Sequence, residues 1–87
     1  MTSYQIVLTA QNANNDILLV PNDTLRAITD SIGAVSKTAL KRIEELKKCP
    51  EVDTARALLY EVTEYGNRIF LGEVVKNPHE AYNFHHR

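Results

Sequence analysis

The chain has one cysteine, Cys49, which excludes an internal disulfide and suits a reducing compartment. No apolar stretch approaches the roughly 20 residues that a membrane-spanning helix needs. The opening segment MTSYQIVLTAQ lacks a basic region followed by a long apolar run, so no signal peptide is expected and the expected location is cytoplasmic. Its three glycines, Gly33, Gly66 and Gly72, stand too far apart to cradle a phosphate, which removes a P-loop or dinucleotide fingerprint. CxxC and HExxH are absent, as are internal repeats and low-complexity tracts. The net charge of −1 gives no overall attraction to nucleic acid or to an anionic membrane.

What is present is a chain of 87 residues with 44% hydrophobic content, enough for one folded domain over 1–87 and too much for disorder. A domain of this size buries a modest core, and association is a common way to add to it, so a homodimer or higher homo-oligomer is expected. Charge is uneven along the chain. Lys37, Lys41, Arg42, Lys47 and Lys48 face only Glu44 and Glu45 in their segment, while the flanking segments are acidic. Such a run is either a nucleic-acid footprint or a solvated helix face with Lys41–Glu45 and Glu44–Lys48 pairs.

Tyr4, Ile6 and Leu8 alternate with Gln5, Val7 and Thr9, the period of a strand. Gln11 to Asp16 is a polar turn, and Ile17-Leu18-Leu19-Val20 reads as a second strand buried on both faces and stopped by Pro21. Leu25, Ile28 and Ile32 then fall on one helical stripe after Asn22 or Asp23 as cap, with Gly33 as terminator. Ser36 caps a second helix, in which Ala39, Leu40, Ile43 and Leu46 line one side until Cys49-Pro50 ends it. The spacing therefore predicts helices over 23–32 and 36–48. Further on, ARALLYEVTEYGNRIFLGEVVK is a hairpin. A two-residue Gly66-Asn67 turn pairs Tyr65 with Arg68 and Leu58 with Val75. That register puts Leu58, Tyr60, Val62, Ile69, Leu71 and Val75 on the core face and Leu59, Tyr65, Phe70 and Val74 on the other. A three-residue loop would exchange the two faces. The last segment, 77–87, is expected to form a short helix or a mobile tail.

The two predicted helices and their glycine-containing turn resemble a helix-turn-helix DNA reader. Leu25, Ile28, Gly33, Val35, Ser36, Leu40, Arg42 and Ile43 carry the likeness, over less than a third of the chain. The resemblance implies that Lys37, Thr38, Lys41 and Arg42 meet DNA. Ala34 makes the turn one residue longer than that family's pattern, and Thr29 stands where a small alanine is usual.

No catalytic set emerges. Glu61 and Glu64 lie on opposite faces of a strand, and Cys49 has no histidine near it in sequence. His79, His85 and His86 with Glu80 are of metal-ligating type, but adjacent histidines point apart, and no metal or cofactor is expected. The sequence thus leads to an α+β domain: an N-terminal strand pair and a C-terminal hairpin in one antiparallel sheet, with two central helices on one face. The expected function is non-catalytic binding to a protein, as a regulator or inhibitor of the phage or mobile-element type. Leu59, Tyr65, Phe70, Val74, Tyr82 and Phe84 are the expected contact residues. The alternatives are the DNA-binding regulator and an oligomeric binder of a small ligand.

Overall fold

The computed structural model describes residues 2–75 and 83–85, with side chains through residue 74. In chain order the elements are β1 (Thr2–Gln11), β2 (Thr24–Thr29), α1 (Ile32–Lys47), β3 (Thr54–Val62), β4 (Arg68–Val75) and β5 (Asn83–His85). The strands form one antiparallel sheet in the order β2-β1-β3-β4-β5. The fold is α+β, with one helix among the described residues rather than two.

β1 forms as its alternation predicts. Tyr4, Ile6, Leu8 and Ala10 are buried, and the residues between them are half-buried. Because β1 is flanked on both sides, it dictates the facing of its neighbours. Ile6 stands opposite Leu25 on β2 and Leu59 on β3, and directly opposed residues share a face. Leu25, Ala27, Ala57 and Leu59 therefore join the side that α1 covers.

Residues 23–32 are the main departure from the sequence reading. Leu25, Ile28 and Ile32 do have helical spacing, yet Thr24–Thr29 is a strand. The same six residues also alternate, with Leu25, Ala27 and Thr29 half-buried and Thr24, Arg26 and Ile28 exposed. Pairing with β1 satisfies both patterns of backbone and side chain, so tertiary context outweighs local spacing. Asn22, at φ 53, supplies the left-handed turn that brings the chain back into register. The expected strand at 17–20 is reduced to one bridge, Gln11 with Ile17. Leu18 and Val20 turn to the core, while Ile17 and Leu19 are 82% and 96% exposed, so this run is not buried on both faces.

The single helix starts at Ser31. Its side-chain oxygen accepts from the Ala34 amide at 3.2 Å, and its backbone is extended. Gly33 is the second residue of this helix instead of the terminator of an earlier one. Ser36 is no cap. It is buried mid-helix and donates to the Ile32 carbonyl at 2.9 Å. The C-terminus lies where Cys49-Pro50 predicts, with Lys48 as C-cap. Val35 and Ala39 are buried under the helix, which lies chiefly on β3 and also touches β1, β2 and β4.

The β3–β4 hairpin closes with a three-residue loop, Glu64-Tyr65-Gly66. Thr63 donates its amide to the Asn67 carbonyl at 2.9 Å, and Gly66 takes φ 83, which a residue with a Cβ rarely adopts. Val62 consequently pairs with Arg68, three positions from the register of a two-residue turn; β3 presents the opposite faces from those expected, while Phe70 stays off the core face and Leu71 packs against the core as expected. Leu59 and Val74 are core; Leu58, Tyr60 and Val62 are on the opposite side. An irregularity between Leu59 and Tyr60 leaves Leu71 without an opposite number, and Gly72 beside it takes φ 150. Residues 83–85, expected in a short helix or a tail, pair as a strand with β4.

This register is open to test. Leu59→Ala is expected to cost about 2–5 kcal/mol in urea unfolding, because it empties a fully buried site. Leu58→Ala should cost less than half as much. The reverse order would place Leu58 in the core and contradict the β1–β3 register.

Candidate binding face

α1 covers one side of the sheet, and no described element covers the other. The residues on that open side follow from β1's alternation: Ser3, Gln5, Val7, Thr9 and Gln11, with the residues paired to them. They fall into rows across the strands. One row runs Arg26, Gln5, Tyr60, Phe70; the next runs Ile28, Ser3, Val62, Arg68. A third runs Thr24, Val7, Leu58, Glu73, and beyond it Thr9 stands opposite Arg56. With strands about 4.8 Å apart, a row of four spans about 14 Å.

The side chains of the first two rows interlock. The Arg68 guanidinium carbon lies 4.7 Å from the centre of the Tyr60 ring, over its negative face. Arg68 Nη1 also donates to Gln5 Oε1 at 3.2 Å, which fixes the plane of the group. Tyr60 and Phe70 have centroids 5.5 Å apart with planes at 60°, a tilted arrangement favoured by ring quadrupoles. Arg56 Nε is paired with Glu73 Oε1. Glu73 is the one acid that β1 to β4 place on this side, against Arg26, Arg56 and Arg68. Two hollows flank the aromatic row. One of about 420 Å³ is lined by Thr9, Arg56, Leu58, Tyr60 and Phe70. The other, of about 220 Å³, is lined by Ser3, Gln5, Arg26, Val62, Gly66 and Arg68.

No family model, curated protein or solved structure matches the chain.

The residues expected to contact a partner are dispersed. Leu59 and Val74, at 0% and 3% exposure, are core residues and meet no partner, a consequence of the exchanged faces. Tyr65 is exposed on the hairpin loop and Phe70 on the open side. Tyr82 lies outside the described residues, and of Phe84 only the backbone, within β5, is described. The helix-turn-helix arrangement does not form, since its first helix is strand β2. Lys37, Thr38, Lys41 and Arg42 belong to the one helix, α1. Lys37 and Lys41 are exposed; Thr38 donates to the Ala34 carbonyl at 3.1 Å; Arg42 Nη1 is 2.7 Å from Glu45 Oε2.

His79 and His86 lie outside the described residues, as does the His85 side chain. Among the described residues no three of His, Cys, Asp and Glu converge on a possible metal position. None of the helices described is long and apolar enough to cross a membrane.

The sequence reading missed Arg26, Arg56 and Tyr60 as surface groups of one site, and Arg68 as their partner. The signal was the alternation Arg56, Leu58, Tyr60, Val62, which a three-residue loop aligns with Arg68 and Phe70. A double-mutant cycle on Arg68 and Tyr60 should give a coupling of about 0.5–1 kcal/mol, the usual size of an exposed cation–π contact. A coupling of zero would mean that the two groups do not stack in solution.

Proposed function

We propose that the chain is a small non-catalytic binding module acting by protein–protein contact, with a partner strand adding to the outer edge of β2. The partner this edge suits most directly is a second copy of the chain. The observation that carries the reading is a strand edge that no other described strand pairs, bordered by aliphatic side chains. β2 ends the sheet, so no strand of the sheet takes its outer backbone groups. Ile28 on it is 70% exposed, and Ile17 and Leu19, on the segment leading into it, are still more so. Folded proteins blunt such an edge with proline, a bulge or charge, or they pair it. β2 has no proline and no bulge, and Arg26 is its one charged residue.

Two copies related by a two-fold axis would pair β2 with β2 in antiparallel fashion, and the sheet would continue from one protomer into the next. The aliphatic side chains would leave water, and the edge would be closed. Placing the axis at Ala27 sets Arg26 opposite Ile28 of the partner and avoids opposing two arginines. A module of this kind, with no chemistry of its own, regulates or inhibits what it binds, and a larger protein with an exposed strand competes for the same edge.

Sedimentation equilibrium is expected to show a concentration-dependent dimer. Ile28→Lys should yield a monomer with an unchanged circular dichroism spectrum. A wild-type protein that stays monomeric at millimolar concentration contradicts the self-pairing.

A further inference from the structure

We propose that the open side of the sheet is a binding site for single-stranded nucleic acid, with Tyr60, Phe70 and Arg68 stacking on bases and Arg26 and Arg56 meeting phosphates. The site is the sheet face and shares only Arg26 with the β2 edge strand, and it does not depend on dimer formation.

β1 to β4 place three guanidiniums and one carboxylate on this side, and the carboxylate is paired with Arg56. Arg26 and Arg68 line the smaller hollow with no acid among its lining residues. A face with this excess, on a chain whose net charge is −1, selects a polyanion locally rather than through the field of the whole molecule. Guanidiniums also match phosphate geometry with two parallel donors.

The same face carries a π surface. Tyr60 and Phe70 sit side by side across β3 and β4, and Phe70 is exposed. Arg68 caps one face of Tyr60 and is held there by Gln5, so its own outer face extends the stacking surface. Bases stack on aromatic rings and on guanidinium planes for about 1–3 kcal/mol each, whatever their sequence. That requires bases splayed out of a helix, which a single strand offers and a duplex does not. The arrangement sorts the two chemistries: the rings form a row, and the hollows on either side of it contain the arginines. A strand crossing the row would set bases on the rings and phosphates toward Arg56 on one side and Arg26 on the other. Gln5, Ser3 and Thr9 offer hydrogen bonds to base edges and sugars without demanding one base. An acidic peptide would use the arginines but leave the ring faces without a planar partner, so the rings favour nucleic acid.

The test is fluorescence anisotropy of the full chain with labelled mixed-sequence single strands, the matched duplex, polyphosphate and a poly-glutamate peptide, at several salt concentrations. The expected result is binding of single strands at least tenfold tighter than the duplex. The log–log salt slope should be about −1.4, for the two phosphates at Arg26 and Arg56. Phe70→Ala should weaken single-strand binding about 5- to 150-fold, the range for one lost stacked base, and leave polyphosphate binding unchanged. Arg68→Gln should weaken both, and Lys41→Glu on α1 should weaken neither. Unchanged thermal melting of each variant separates loss of the site from loss of the fold. The proposal is overturned by an absence of binding at low salt or by equal or tighter binding of poly-glutamate. It is also overturned if Phe70→Ala has no effect, or if Lys41→Glu abolishes binding, which would move the contact to α1. A wild-type protein that stays monomeric yet binds single strands fails the self-pairing alone, so failure of self-pairing and failure of this site are told apart.

Discussion

The pairing of β1 on both of its edges is the constraint from which the rest follows. A strand has two faces, and β1 commits Tyr4, Ile6, Leu8 and Ala10 to one of them. Antiparallel partners inherit that commitment residue by residue. Leu25 and Leu59 go under α1 because they oppose Ile6; Arg26 and Tyr60 go to the other side because they oppose Gln5. Neither pair of facings is decided by the residues' own neighbours in sequence. The arginine–aromatic surface is thus a product of register. A slip of one residue between β3 and β1 would bury Tyr60 and expose Leu59.

The same constraint explains which parts of the fold were legible in the sequence. The alternation in β1, the stop at Cys49-Pro50 and the existence of the second hairpin are local properties, and they appear as read. Residues 24–29 were misread because their spacing fits two periods at once, and only the neighbouring β1 chooses between them. Ser31 caps the helix where Ser36 was expected. Both are good capping residues, and the strand that ends at Thr29 leaves Ser31 at the point where the chain turns. The hairpin faces were misassigned through one turn. Gly66-Asn67 is a good two-residue turn in isolation, yet the Thr63 side chain and backbone close a wider one, its hydroxyl oxygen accepting from the Asn67 amide at 3.1 Å.

The candidate site suffered most from that single step. With the faces exchanged, Leu59 and Val74 leave the surface, while Tyr60 leaves the core and joins Arg68. The basic run that drew attention in the sequence lies on α1, part of it paired along the helix as Arg42–Glu45. The three arginines of the open side are scattered over positions 26, 56 and 68 and form no run at all. They become a group only because β2 and β3 flank β1 and β4 flanks β3. Charge clustering in sequence and charge clustering in space are different quantities here, and the second bears on binding.

The measurement that reaches the centre of this account is a set of nuclear Overhauser contacts from the Tyr60 ring in the free protein. The account predicts contacts to Gln5, Arg68 and Phe70, and none to Val35 or Ala39 of α1. Contacts from Tyr60 to Val35 or Ala39 would contradict it, because they would place the ring in the core and dissolve the open face.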